Sequence, residues 1–196
     1  MKAQFDRWAV AGAIWGPAIF VATWVVGGLL AKGYSPVDDQ ISRLAAVAAP
    51  TRALMTAGFA AYGVGIGIAA WPLRRIIGVP AAVSIGVSAS STVGVMMTPL
   101  GRSAGTDLVH GFFALVGYAS LGLAGPLAAI ALRRGHRIWA TASLGVGMLT
   151  LLALVASLGS MAPGLLQRIG LTTSDAWLMS VGIAGITGRL RGDKSR

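Results

Sequence analysis

The segment TDLVHG at residues 106–111 sets an acid and an imidazole three residues apart, Asp107 and His110. On a helix that spacing puts both on one face. There the carboxylate can fix the ring's tautomer, tune its proton affinity or share a proton with it. With Ser42 or Ser103 the pair holds the parts of Ser-His-Asp catalysis, and a His110 general base oriented by Asp107 would suit cleavage of a lipid ester. No nucleophile elbow accompanies them. The plainer alternative has His110 hydrogen-bonding a serine of a neighbouring helix.

A second polar cluster is the stretch KGYSPVDDQISRLAAVAAP at residues 32–50. Ser35-Pro36 starts a turn, and Asp38 or Asp39 caps a short amphipathic helix through Ile41, Leu44, Ala45 and Ala48, lying at the surface or tucked over its neighbours. Asp39 and Arg43 are spaced i, i+4, and an exposed ion pair of that kind contributes only a few tenths of a kcal/mol, roughly 0.3–0.5. A later connection adds Arg168 and Asp175. If the connections converge, Asp38, Asp39, Ser42, Arg43, Asp107, His110 and Arg168 form one ligand-binding pocket. The two histidines, His110 and His136, fall on opposite sides of the topology below, which excludes a His-rich zinc site. A hard cation held by Asp38, Asp39 and Asp107 stays open, but no resident metal or cofactor is expected.

These residues must be positioned by strongly apolar elements. The 196 residues are 55% hydrophobic and 11% charged, with a mean hydropathy of +0.74, whereas a soluble domain carries roughly 25% charged residues. The apolar residues fall in runs of membrane-spanning length. The expected spans are residues 8–31, 51–71, 76–98, 108–132, 139–161 and 171–188, the last being the shortest. The fold class is an all-α, polytopic membrane bundle of six transmembrane helices forming one transmembrane domain. The first run is longer than a signal-peptide core and is read as a retained span. The chain contains no Cys, Glu or Asn, which removes thiolate chemistry, disulfides and N-glycosylation.

The net charge of +10 sits in short connections and reads as a topology signal, not a nucleic-acid surface. Lys2, Arg7, Arg74, Arg75, Arg133, Arg134, Arg137, Arg189, Arg191, Lys194 and Arg196 gather on one side. Lys32, Arg43, Arg52, Arg102 and Arg168 fall on the other. Eleven against five puts both termini in the cytoplasm of a plasma-membrane protein, with the polar pocket facing outward. His136, beside three arginines, joins an anionic-lipid contact.

Small residues mark where helices meet. Gly12 and Gly16 form one GxxxG pair and Gly63 and Gly67 another, while Gly86, Ser90 and Gly94 line one face of a serine-rich third span. Pro17 and Pro126 should kink their helices. Trp8, Trp24, Trp71, Trp139 and Trp177 suggest an interfacial belt.

The strings SPVDDQISRLAAVAAPTRALMTAGFAAYG, TDLVHGFFALVGYASL and GLLQRIGLTTSDAWL together resemble the bacterial six-helix membrane family named domain of unknown function 998. The likeness covers most of the chain and rests on a D-x-I-S-x-L stretch before span two, an x-H-G opening span four and a G-L-x-x-R before span six. It implies the six-helix fold and weight on Asp39, Ser42, Asp107, His110 and Arg168. It implies no activity, substrate or cofactor. Gln167 stands where that pattern leads one to expect an acid, which puts an acid-arginine pair there in doubt.

Three functions are carried forward. The first is binding or transport of a lipid or small polar molecule; the second is the His110/Asp107 hydrolase. The third is a structural subunit docking a second copy or a partner membrane protein through the Gly86, Ser90, Gly94 row. In each, membrane lipids surround the chain.

Overall fold

In hydrocarbon a chain must satisfy its backbone hydrogen bonds internally, which leaves the α-helix for isolated apolar runs. The computed structural model describes residues 2–190, with side chains from Asp6 onward. Its helices are α1 (Lys2–Leu30), α2 (Arg52–Ile77), α3 (Val79–Met97), α4 (Ala104–Leu132), α5 (Arg137–Ser157) and α6 (Pro163–Thr187). All six are long and apolar enough to cross a membrane. The shortest, α3, has 19 residues; at 1.5 Å per residue that gives about 28 Å, close to the roughly 30 Å hydrocarbon core. The chain is a multi-pass, all-α membrane protein.

Local chemistry sets the helix ends. The Ser103 hydroxyl accepts the Thr106 N–H at 3.1 Å and caps α4. Pro163 opens α6, and Gly188, in the left-handed region at φ 79°, closes it. A single residue, Gly78 at φ 83°, joins α2 to α3, a conformation that a side chain would strain. Two expected boundaries therefore move. Helix α2 continues past Trp71, so Pro72, Arg74 and Arg75 are helical. Helix α6 starts well before residue 171, so Gln167 and Arg168 lie within it and not in a connection.

Each helix packs on its neighbours in sequence, and α6 closes on α1 to complete a ring. Connections 31–51, 98–103 and 158–162 share one end, termed the strap end after the first of them. Gly78 and residues 133–136 share the other, the arginine end. There Arg75 pairs with Asp6 at 2.6 Å, Arg7 donates to the Ile186 carbonyl at 3.2 Å, and Arg74 stacks 3.7 Å over Trp71. The Lys2 side chain and residues Arg191, Asp193, Lys194 and Arg196 lie outside the described residues.

Close backbone approach holds α1 to α2 through Gly12, Gly16 and Gly65: a methyl group on Gly65 would sit 2.7 Å from the Gly12 carbonyl oxygen. The Gly63 and Gly67 pair marks a different contact, since both face Ala89 of α3 and Gly63 also meets Val93. Helices α4 and α5 meet the same way through Gly125 and Gly147, whose Cα lies 2.7 Å from where a Gly125 methyl would be. On α3 the buried hydroxyls are Ser84, Ser88 and Ser91. The expected Gly86, Ser90, Gly94 row is split: Gly94 packs under Phe113, while Gly86 and Ser90 turn away from the bundle. Trp8 and Trp71 are exposed as a belt requires, but Trp177 is buried, its indole N–H donating to Ser143 at 2.9 Å. Leu29, Phe112, Ile138, Leu152 and Val155 are exposed and face the lipid that surrounds such a bundle.

Gly65→Leu forces α1 off α2 and is expected to destabilise the bundle by about 1–3 kcal/mol or more, measured by denaturant titration in mixed micelles. Gly86→Leu, built into open space, should leave the midpoint unchanged.

Candidate functional site

The polar strap of residues 31–51 lies at the end of an apolar bundle, so its backbone groups need partners. It makes them at once. The Asp39 carboxylate accepts from the Ser35 N–H at 2.9 Å, and Asp38 accepts from the Ser35 hydroxyl at 2.6 Å. Both acids thus brace the turn; neither caps the helix that follows. That helix is a single 3-10 element, Ile41–Ala45, shorter than the amphipathic helix expected, with Ile41, Ser42 and Leu44 buried. Thr51 donates to the Leu44 carbonyl at 2.9 Å, and the Val47 and Leu165 amides bond to Leu100 and Val37 carbonyls, each at 2.9 Å. The first of these bonds closes the strap on itself just before α2, and the other two sew it to the 98–103 connection and to α6.

Arg168 is the main stitch. Helical side chains lean toward the N-terminus, so from the second turn of α6 its guanidinium reaches the strap. It donates to the carbonyls of Pro36 at 2.7 Å, Asp39 at 2.9 Å and Gly164 at 2.9 Å, and to the Tyr34 hydroxyl. It also sits against the Trp24 and Tyr34 rings at 5.2 and 5.4 Å. Burial raises the Tyr34 phenol above its ordinary range, more than the adjacent Arg168 charge lowers it, so Tyr34 stays a neutral hydroxyl. Gly164 has no side chain because a methyl there would strike the Asp39 carbonyl. Beside it, the Gln167 amide oxygen accepts the Ile41 N–H at 2.8 Å, a task for which an acid is not required. Asp39 pairs with the largely exposed Arg43 at 3.3 Å, a contact of little energetic weight.

Under the strap lies His110, 4% exposed. Its Nδ1 is 2.7 Å from the Thr98 carbonyl oxygen. A carbonyl only accepts, so Nδ1 carries the hydrogen, and in the neutral ring Nε2 is a bare lone pair. That Nε2 is buried without a partner. Asp107 does not orient His110 as the i, i+3 spacing suggested: its carboxylate accepts the Gly101 N–H at 2.9 Å and braces the turn before α4. The carbonyl that ends α3 took the role assigned to the acid.

His110 and Ser42 line one internal cavity, together with Tyr62, Phe113, Tyr118 and Gln167. The space open to the centre of a water molecule is about 70 Å³, room for roughly five to seven waters at the 10–15 Å³ each requires. Of the remaining expected site residues, Asp39 and Arg168 hold the strap above it, Asp38 is exposed beside Ser35, and Arg43 and Asp107 border a shallow groove at the surface. Among the described residues no three of His, Asp or Glu gather to hold a metal ion, so Asp38, Asp39 and Asp107 do not form a cation site.

One group that sequence reasoning placed outside the membrane lies deep inside. Asp175 is 1% exposed, mid-way along α6, and both carboxyl oxygens are buried without a partner. Tyr62 of α2 faces it. Around it α5 and α6 share a polar seam in which Thr150 and Ser174 hydroxyls are 2.6 Å apart. Pro163 as a helix opener and Gly188 as a stop, taken together, were the signal that puts Asp175 in mid-span.

Six apolar helices with a partly polar cavity among them define a multi-pass membrane protein with a candidate site inside the bundle. A model of a family described as protein of unknown function (DUF998) matches residues 14–184, and the chain belongs to that family. No curated protein and no solved structure matches it.

Since the chain has no cysteine, Ser42→Cys gives a single thiol on the buried face of the strap. Adding Arg168→Gln is expected to speed its labelling at least about tenfold, because even one lost charge-assisted bond is worth about 1.5–3 kcal/mol. Unchanged labelling would show that Arg168 does not hold the strap closed.

Proposed function

We propose that this protein binds, and as a carrier moves, a lipid headgroup or other small polar molecule held in the cavity beneath the strap. The observation that carries this reading is the unpartnered, buried Nε2 of His110, a residue that lines a partly polar cavity. A buried acceptor without a donor costs about 1–3 kcal/mol. A ligand that donates there recovers it. In this reading Ser42, His110 and Gln167 contact the ligand, Arg168 and Asp39 position the strap, and Asp38, Arg43 and Asp107 form the approach. The hydrolase alternative is the weaker one, since its base lacks the acid meant to orient it.

The strap end is placed outward in the plasma membrane and the termini in the cytoplasm. The basic residues support this more sharply once Arg168 is removed from the count as a buried group, leaving Lys32, Arg43, Arg52 and Arg102 at the strap end.

Native mass spectrometry of the protein extracted in mild detergent should show a retained small molecule or lipid. It is expected to be lost from His110→Ala and from Ala114→Phe, which fills the cavity, and kept by Asp38→Ala. Equal retention in all three would remove the cavity as the binding site.

A further inference from the structure

Asp175 is the acid the proposed function leaves unused, and its surroundings are unusual. The spanning stretches of α1 beyond Arg7, α2 between Arg52 and Arg74, α3 and α5 beyond Arg137 contain no charged residue. On α6 the other charge is Arg168, seven residues earlier, whose guanidinium turns to the strap. From α4 the ionisable groups are Asp107, which is held in the turn at the strap end, and His110 and Tyr118, both at the cavity. The titratable group facing Asp175 is therefore Tyr62, with Ser88 beyond it, though the phenol and the carboxyl are not in hydrogen-bonding geometry. An ionised carboxylate at this depth would have no cation opposite it, and the one donor facing it, the Tyr62 phenol, makes no hydrogen bond to it in this structure. Such a position accepts the neutral, protonated acid.

Tyr62 and Ser88 also line the cavity, so one phenol touches both places. The cavity itself suits a positive ligand. Phe20, Phe59 and Tyr62 form a continuous aromatic wall, with Phe20 centred 5.7 and 5.1 Å from the other two rings, and Phe113 and Tyr118 face it. Aromatic faces attract ammonium groups, most strongly out of water. No Lys or Arg lines the cavity among the described residues, and the free His110 nitrogen is an acceptor.

We propose that Asp175 is a proton-carrying site, and that the cavity takes a small ammonium group in exchange for that proton. This rests on the cavity being a binding site, as proposed above, and names the ligand class and its coupling. As the ammonium enters, the Asp175 O–H bond breaks and its electron pair stays on the carboxylate. A side-chain rotation brings the carboxyl and the phenol into hydrogen-bond contact, and the proton passes to the Tyr62 oxygen. Tyr62 gives its own proton to a water that the ammonium displaces from the cavity and that leaves as hydronium by the strap end. One positive charge replaces another, so the bundle interior never carries a net negative charge. The cavity volume matches a head of roughly five to seven non-hydrogen atoms, one for each water it could hold. That chemistry is shared by free amines and by the heads of cationic amphiphiles.

The test uses the full chain in detergent near neutral pH, with tetramethylammonium as probe and infrared spectroscopy as readout. The wild type should show a protonated carboxylic acid band that Asp175→Asn lacks. Tetramethylammonium should abolish the band and release about one proton per protein to a pH indicator. Tyr62→Phe should keep the band and slow its loss at least tenfold, and its survival guards against a misfolded Asp175→Asn. Tighter exchange by dodecyltrimethylammonium than by tetramethylammonium would assign an amphiphile head; equal exchange would assign a free amine. Absence of the band from the wild type overturns the proposal. So does thermal stabilisation by tetramethylammonium with the band unchanged, which leaves the cavity reading standing. If tetramethylammonium does not bind but neutral neopentyl alcohol does, the cation class is wrong and the cavity again stands; if neither binds, both readings fall.

Discussion

Arg168 places a full positive charge among buried groups, 7% exposed, without a carboxylate opposite it. Stripping water from a guanidinium is costly unless other oxygens take its place. Here they are main-chain carbonyls, two from the strap and one from the preceding turn of α6, with the Tyr34 hydroxyl beside them. The strap therefore cannot lift without exposing that charge to an apolar bundle. The burial of Ile41 and Leu44, the seat of Ser42 and the roof of the cavity all follow from it.

The remainder of the architecture makes room for that site. Water does not drive helices together inside a bilayer, so association depends on close packing. Glycines at the α1–α2 and α4–α5 crossings bring those backbones together, while aromatic side chains of α1, α2 and α4 keep the middle of the ring from closing. Of the α3 hydroxyls, Ser88 and Thr92 line the cavity, while Ser84 donates to the Ser120 carbonyl and Ser91 packs against Gly117 at the α3–α4 contact.

The membrane fold was legible because a run of twenty apolar residues permits few alternatives. The edges were less so. Gln167 and Arg168 interrupt the hydropathy of α6, and a reading based on apolar length begins the helix after them, although the opener Pro163 was in view. That one shift moved Arg168 from a loop to a buried staple and Asp175 from the surface to the interior. Spacing rules likewise identified a glycine pair on α2 but could not choose its face, since Gly63 and Gly65 point to different neighbours. The joint importance of Ser42, His110 and Arg168 could be suspected from resemblance. Their division between lining and strap depends on hydrogen bonds to carbonyls, which carry no sequence signal.

Hydrogen exchange across residues 31–51 in lipid nanodiscs tests the central claim, that the strap is a seated roof and not a free loop. The amides of Asp39, Ile41 and Val47 each have a partner here, the Ser35 carbonyl, the Gln167 side chain and the Leu100 carbonyl. They should exchange as slowly as the first turns of α6. Exchange of all three at the rate of an unstructured peptide would contradict the account.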